Sequence, residues 1–137
     1  RALDEDYRRA RWADMLANPR KDQRVLLALQ GQRLVGIGAI AAPSEPAFEG
    51  RGEVKSLYVD SSIKRQGIGR KLMREMACEL AAMGYSALGL GVVVGNEPAI
   101  AFYRAIGGQL VGRYIDPGPL WRSDNLILAW DDLSLLI

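Results

Sequence analysis

The amino-acid sequence predicts a single α/β domain. Its 137 residues suffice for one domain with a hydrophobic core and are too few for two ordinary ones. Hydrophobic residues make up 49% of the chain and charged residues 25%, which is typical of globular proteins. Apolar runs of strand length alternate along the chain with amphipathic segments of helix length, and this alternation indicates a mixed architecture.

Four elements are predicted in the N-terminal part of the chain. They are a helix over residues 5–16 and three strands over residues 25–29, 34–40 and 53–60. Asn18-Pro19 ends the helix, because the residue before a proline disfavours helical geometry. Gln30-Gly31-Gln32 separates the first two strands and is typical of a β-hairpin. Residues 41–52 hold two prolines and two glycines, so a loop is expected there.

The segment from Gly67 to about Met83 is the best-defined helix. Its apolar residues recur at helical spacing and share one face: Ile68, Leu72, Met73, Met76, Ala77 and Leu80. Its polar residues share the other face: Arg70, Lys71, Arg74, Glu75 and Cys78. Gly84 is a natural C-terminal cap for this helix.

Four further elements are predicted after this helix. They are a strand over residues 87–94, a short helix that ends at Ile106, and strands over residues 109–114 and 125–130. Asn96 caps the short helix, and Gly107-Gly108 ends it. Gly89 and Gly91 interrupt the first of these strands, which indicates a bend or close backbone packing. Residues 115–123 connect the last two strands as a loop.

Residues 64–72, KRQGIGRKL, place a basic, glycine-containing loop at the start of the central helix. The unpaired N–H groups of a helix N-terminus already carry about half a positive charge. Arg70 and Lys71 add charge of the same sign, an arrangement that fits a bound anion. Gly67 and Gly69 would allow backbone N–H groups to approach a diphosphate closely. A solvated basic turn is the simpler alternative.

Composition excludes several kinds of chemistry. Histidine is absent, which removes the commonest general base and any Ser-His or Cys-His nucleophile pair. With a single cysteine, Cys78, a metal site would need almost only carboxylates, so no metal is expected. The formal net charge of +2 gives no support for nucleic-acid binding.

Two familiar phosphate-binding schemes do not fit the glycine loop. A Rossmann fingerprint needs a small residue where Leu72 stands, and an acidic residue about 20 positions later. Residues 86–95 contain no acidic residue. A Walker A loop needs a Gly-Lys-Ser/Thr string, and the chain has none.

A third scheme does fit, and it brings a family resemblance with it. Residues 64–69, KRQGIG, resemble the pyrophosphate loop of acetyl-CoA-dependent N-acetyltransferases, Gln/Arg-x-x-Gly-x-Gly/Ala. Residues 53–60, EVKSLYVD, resemble the fourth strand of that family. Residues 96–103, NEPAIAFY, followed by Gly107-Gly108, are similar to its Asn-x-x-Ala-x-x-Phe-Tyr-x-x-x-Gly signature. In order and spacing, the chain resembles the GCN5-related N-acetyltransferase (GNAT) superfamily.

The resemblance implies the GNAT acyl-CoA N-acyltransferase fold: a mixed, mainly antiparallel sheet with helices on both faces and splayed central strands. It implies that acetyl-CoA binds through its diphosphate and its pantetheine arm. The implied diphosphate residues are Lys64, Arg65, Gln66, Gly67, Ile68, Gly69 and Arg70. The arm would pair with main-chain groups of Leu57, Tyr58 and Val59 and contact Asn96. Lys64 departs from the family's Gln or Arg and lacks a planar fork of donors.

The resemblance also implies catalytic residues. Tyr103 would lie near the CoA sulfur as general acid and contact the cofactor. Glu53 matches the position of a base glutamate found in some members, where it acts through a water. The backbone N–H of Leu57 would face the thioester oxygen. The alternatives are that Phe102-Tyr103 are core aromatics, that Glu53 is solvated, and that another residue or water alone is the base.

We therefore expect an enzyme that moves an acetyl group from acetyl-CoA to a primary amine by direct attack on the thioester. The alternative is a non-catalytic acyl-CoA-binding sensor or regulatory domain. The acceptor is a small molecule or a protein amino group, and the residues expected to line its site are Glu45, Glu49, Asp116, Trp121 and Arg122. Nucleic acid and membrane are not expected as partners.

Three expectations concern the protein as a whole. Residues 1–137 are expected to form one GNAT domain, with the family's first strand missing before Leu3. The single cysteine and the absence of a long apolar run favour a cytoplasmic location. The apolar tail, residues 133–137, can join a homodimer interface, and chain-end packing explains it equally well.

Overall fold

The structure is a computed structural model, and it describes residues 23–63, 67–119 and 121–137. The predicted helix over residues 5–16 lies outside the described residues, as do Lys64, Arg65 and Gln66 of the basic loop. Within the described ranges, no helix is long and apolar enough to cross a membrane.

The described chain forms one six-stranded sheet with the order β1-β2-β3-β4-β6-β5. The strands are β1 (Gln23–Gln30), β2 (Arg33–Ala41), β3 (Gly52–Val59), β4 (Leu88–Val93), β5 (Gln109–Asp116) and β6 (Ser123–Trp130). All neighbouring pairs are antiparallel except β3 and β4. The predicted hairpin is confirmed, because Gln30 pairs with Arg33 around a turn in which Gly31 has a φ of 63°.

Two α-helices occur among the described residues: α1 (Ile68–Ala82) and α2 (Glu97–Ala105). The buried residues of α1 are the six that the sequence pattern assigned to its apolar face. They pack with Leu88, Leu90 and Trp130 of the sheet in one hydrophobic core. Residues of α2 pack against the same core.

The predicted loops are shorter than expected. Strand β2 extends to Ala41, β3 begins at Gly52, and a 3-10 helix, Pro46–Phe48, lies between them. The side chain of Phe48 is fully buried, so part of this connection belongs to the core. Likewise β5 extends to Asp116, because pairing with β6 continues into the segment that was predicted to be a loop.

The C-terminal tail forms a 3-10 helix, Leu133–Leu135. Leu133 is buried in the core, whereas Leu135 and Ile137 are exposed. Leu136 is partly buried against the same core, so packing within the chain accounts for two of the four apolar residues of the tail and leaves Leu135 and Ile137 on the surface.

Strands β3 and β4 pair over a short parallel stretch, the β3–β4 joint, and then separate, as the resemblance predicted. Only three residue pairs join them, the last being Val54 with Leu90. The register between β2 and β3 shifts at this level: Ile40 pairs with Val54 and Ala39 with Ser56, which leaves Lys55 as an extra residue. Such a β-bulge bends and twists the strand that carries it. The bulge therefore coincides with the divergence of the two strands.

Candidate active site

The gap between β3 and β4 is an open cleft of about 300 Å³. One wall is residues 54–57 of β3, and the other is residues 90–93 of β4. Asn96, Ala99 and Tyr103, at and within α2, close one side. Of the residues predicted from the sequence, this cleft brings together Leu57, Asn96 and Tyr103.

Main-chain groups face this cleft from both strands. The N–H of Asp60 donates to the carbonyl of Val35 at 2.8 Å, which fixes the direction in which that residue's polar groups point. Because these directions alternate along an antiparallel pair, the N–H groups of Leu57 and Val59 point away from β2, toward the gap. The same alternation turns the main chain of Tyr58 toward β2, and the Tyr58 side chain is 57% exposed.

Strand β4 presents its main chain in the same way. The N–H of Val94 donates to Asp124 at 2.9 Å, so Gly91 and Val93 direct their main-chain groups toward the gap. Beyond the three-residue joint, the two facing strand edges are therefore not paired with each other. An extended ligand that carries amide groups can bind between such edges.

The N-terminus of α1 has the features expected of an anion site. Gly67 is its N-cap, with a φ of 74° and no side-chain cap, and the first turn contains no acidic residue. The first helical hydrogen bond runs from the Lys71 N–H to the Gly67 carbonyl at 3.0 Å. The N–H groups of Ile68, Gly69 and Arg70 consequently have no acceptor within the helix. Arg70 is exposed beside them.

Tyr103 lies on α2 with its ring at the cleft. The ring meets that of Trp130 edge to face, with centroids 6.2 Å apart. Trp130 is itself fixed by a hydrogen bond from its Nε1 to the Ile106 carbonyl at 3.0 Å. Burial raises the pKa of the Tyr103 phenol above its usual value of 10.0, so the hydroxyl is a proton donor at neutral pH.

Asn96 has the structural role that the sequence predicted. Its Oδ1 accepts a hydrogen bond from the Ala99 N–H at 3.4 Å and caps α2. The residue is exposed and lines the cleft, so capping does not remove it from the site. A side-chain cap of this kind is worth about 1 kcal/mol.

Glu53 is buried, contrary to the ordinary expectation of a solvated glutamate, with only 5% of its surface exposed. Its Oε1 accepts hydrogen bonds from the Ser44 N–H and hydroxyl, both at 2.8 Å. Its Oε2 lies 3.7 Å from Nζ of Lys55. Glu53 pairs with Gly89 across the joint, whereas its neighbour Val54 belongs to the core under α1. The carboxylate therefore lies on the other face of the sheet and does not line the cleft.

Tyr114 of β5 shares this second face with Glu53. Its ring lies beside Gly91, where an added Cβ would come within 3.0 Å of the Tyr114 Cε1 atom. The Phe48 ring lies 5.6 Å away from the Tyr114 ring, and a Cβ on Gly89 would meet Phe48 at 3.0 Å. Both strand glycines are thus explained by close packing of aromatic rings.

Carboxylates surround Tyr114 and make its environment negative. Burial raises the pKa of its phenol most, and the charges of Glu53, Asp116 and Glu45 raise it further. Sequence reasoning missed both Tyr114 and Ser44, because a strand tyrosine and a loop serine carry no pattern that distinguishes them.

The other residues expected near an acceptor have surface roles in the structure. Glu49 forms an ion pair with Arg51 at 3.4 Å, and Arg51 also binds Asp131 at 2.7 Å. Trp121 is 74% exposed, and Arg122 is exposed next to it. Among the residues that the structure describes, no group of three or more His, Cys, Asp or Glu side chains could hold a metal ion.

Comparison with known proteins identifies the family. The model of the acetyltransferase (GNAT) family matches residues 1–107. The chain belongs to the GNAT family. The family resemblance and the fold class predicted from the sequence motifs are thereby confirmed.

Two curated relatives and one solved structure illustrate the relationship. An IAA acetyltransferase of Azospirillum brasilense is 38% identical over 104 residues, which cover 76% of this chain and 61% of the relative. The N-alpha-acetyltransferase RimI of Mycobacterium tuberculosis is 38% identical over 86 residues, covering 62% of this chain and 51% of the relative. The yncA protein of Salmonella typhimurium, solved with its cofactor acetyl-CoA, superposes with a TM-score of 0.65 at 21% identity, covering 97% of this GNAT chain and 76% of that one.

The chain spans about half to three-fifths of the length of these two curated relatives. Family membership therefore establishes the class of protein and its fold, and the activity of the protein is developed below as a proposal.

The raised phenol pKa values of Tyr103 and Tyr114 predict a loss of stability at high pH. Above pH 10 or so, the unfolded chain releases phenol protons that the folded protein still holds, so the free energy of unfolding falls as pH rises. Below that pH the stabilisation is complete. Urea unfolding between about pH 9 and 11 should show this decline, and Tyr103→Phe should make it less steep. An unchanged slope in Tyr103→Phe would contradict the raised pKa.

Proposed function

We propose that this protein is an acetyl-CoA-dependent N-acetyltransferase that acts on a primary amine. The observation that carries the proposal is the open cleft between β3 and β4, walled by main-chain groups that point into it and closed by Tyr103. A sheet interior normally pairs such groups, so an unpaired stretch this long is best explained by a ligand that pairs with them.

The described residues fit acetyl-CoA as the acyl donor. The pantetheine arm contains amide groups and would pair with the exposed edge of β3 at Leu57 and Val59. The uncapped N–H groups of Gly67, Ile68, Gly69 and Arg70 would hold the diphosphate, since a helix N-terminus favours anions. Lys64, Arg65 and Gln66 would complete this diphosphate site from the preceding loop. When bound, acetyl-CoA supplies an activated acetyl group as a thioester.

The chain's own groups would then divide the catalytic work. The amine nitrogen forms a bond to the acetyl carbon while the bond from that carbon to sulfur breaks. The Leu57 N–H would stabilise the negative charge that develops on the carbonyl oxygen. Tyr103 would give its phenol proton to the departing sulfur. Glu53, acting through a water from the second face of the sheet, would take the proton from the amine.

The surroundings of Tyr114 favour a cationic acceptor. Glu53, Asp116 and Glu45 all act on the Tyr114 phenol, the nearby Arg51 is neutralised by Asp131 and Glu49, and Lys55 offsets the charge of Glu53 alone. An amine that arrives as an ammonium ion is attracted to such a surface. A small amine and a protein N-terminus both meet this requirement, and the relative named N-alpha-acetyltransferase RimI supports the second.

The first experiment measures thiol release from acetyl-CoA with a library of small amines and N-terminal peptides. Tyr103→Phe should lower kcat by about tenfold to a hundredfold, because the proton donor is lost while the thiolate still leaves. The ring contacts persist, so stability at neutral pH should not change. Tyr85→Phe, at a tyrosine remote from the cleft, is the matched control. Tight acetyl-CoA binding without amine-dependent thiol release would indicate a sensor instead.

Glu53→Gln tests the assignment of the base. Glutamine can still accept both hydrogen bonds from Ser44 but cannot take a proton, so kcat/KM should fall by about a hundredfold with acetyl-CoA affinity unchanged. Glu79→Gln, at a glutamate in the last turn of α1 that does not line the cleft, should leave kcat/KM unaltered. Equal activities of the two variants would assign proton removal to water or another group.

Gly67→Ala tests the diphosphate site. An alanine at a φ of 74° is strained by about 1 kcal/mol or more, and the helix start should rearrange. Affinity for acetyl-CoA, measured by calorimetry, should then drop at least about tenfold. Gly84→Ala, at a φ of 100° beyond the other end of α1, imposes similar strain away from the site. If both variants bind acetyl-CoA equally well, the helix N-terminus does not hold the diphosphate.

A further inference from the structure

The position of α2 depends on few contacts, although this helix carries Tyr103. None of its residues is fully buried. Four of them, Ala99, Ile100, Phe102 and Tyr103, are partly buried against the core. A helix held by so few side chains moves when one of its contacts changes. The contacts that hold α2 in place therefore also set the distance between the Tyr103 hydroxyl and the cleft.

Phe102 contacts the first turn of α1 from α2. A Cβ atom added to Gly69 would lie 3.1 Å from Cζ and 3.7 Å from Cε1 of Phe102. The next nearest atom is Cγ2 of Val59, at 3.6 Å. The Phe102 ring tip thus lies so close that a side chain at position 69 would require the ring to shift by a few tenths of an ångström. Gly69 belongs to the first turn of α1, so this contact joins the proposed diphosphate site to α2.

The contact continues through the aromatic rings to Tyr103. The rings of Phe102 and Tyr103 have centroids 5.2 Å apart and meet edge to face at 63°. Trp130 supports Tyr103 from another side, at 6.2 Å. Tyr103 therefore contacts both rings, which gives a physical route from a displacement of Phe102 to the Tyr103 ring.

We propose that Phe102 is a positioning residue. Its ring packs against Gly69 and holds Tyr103 at the correct distance from the thioester sulfur. This inference rests on the proposed role of Tyr103 as general acid. It gives Gly69 a second reason to be glycine, which is room for the Phe102 ring in addition to access for a phosphate. The first turn of α1 therefore governs proton transfer as well as cofactor binding.

The two reasons for Gly69 make different kinetic predictions. If its only role is phosphate access, Gly69→Ala should raise the KM for acetyl-CoA and leave kcat nearly unchanged. If the Phe102 ring also needs the space, the new methyl group displaces that ring, and kcat should fall as well. Alanine has the higher helix propensity, so Gly69→Ala should not lower the stability of α1.

The experiment compares Gly69→Ala, Phe102→Leu and the double variant. Leucine has no atom at the position of the Phe102 Cζ and leaves room for the methyl group. Gly69→Ala should lower kcat by about tenfold, since small misplacements of a reacting group are costly. In protein that already carries Phe102→Leu, adding Gly69→Ala should lower kcat only slightly further. Arg70→Ala, which removes a charge from the same helical turn, should change only the KM for acetyl-CoA.

A second measurement does not depend on turnover. In protein labelled with 13C at the tyrosine rings, the Tyr103 signal is identified as the one missing from Tyr103→Phe. It should shift in Gly69→Ala and return toward its position in Phe102→Leu when the two changes are combined. A wild-type protein without amine-dependent turnover would refute the proposed function, and this spectrum would still test the contact.

Three results would overturn the inference. They are a rise in KM with kcat unchanged in Gly69→Ala, losses of kcat that simply multiply in the double variant, and a Tyr103 signal that Gly69→Ala does not move. The first result would show that Gly69 serves phosphate access alone. The other two would show that Phe102 and Gly69 act independently.

Discussion

The β-bulge at Lys55 of β3 determines where the cleft forms. At Lys55 the strand keeps its pairing with β2 and stops pairing with β4, which remains paired with β6 along its length. Main-chain groups that would otherwise complete the sheet are left facing a cleft. Tyr103 and Asn96 border this cleft from α2, whereas Glu53 and Tyr114 lie on the other face of the sheet. The bulge thus lies between two groups of polar side chains, one on each face of the sheet.

Several elements could be predicted from the sequence because local physical chemistry determines them. The apolar spacing of α1 identified all six of its buried residues. Asn96 and Gly67 were placed correctly at helix starts, since capping depends on neighbouring residues only. The motif spacing also led to the family and the fold. Such features need no knowledge of which segments meet in space.

Other features of the site depend on distant contacts and could not be predicted. Burial of Glu53 follows from Ser44 folding over it, and nothing in either local sequence indicates this bond. Gly91 was ambiguous until Tyr114, 23 positions later in sequence, was seen beside it. Gly69 matched a motif for phosphate access, and that match concealed its contact with Phe102. In each case the partner belongs to another element, and only the tertiary structure identifies it.

The short joint between β3 and β4 also bears on how the chain folds. Strands β1 to β3 form one antiparallel leaf of consecutive strands, and β4 to β6 form a second. Only three residue pairs connect the leaves, and they are parallel, so the whole crossover through α1 must close before they can form. Closing so long a connection costs entropy that hairpins avoid. We expect the leaves to assemble first and to dock afterwards, so that the fold acquires its most open region last.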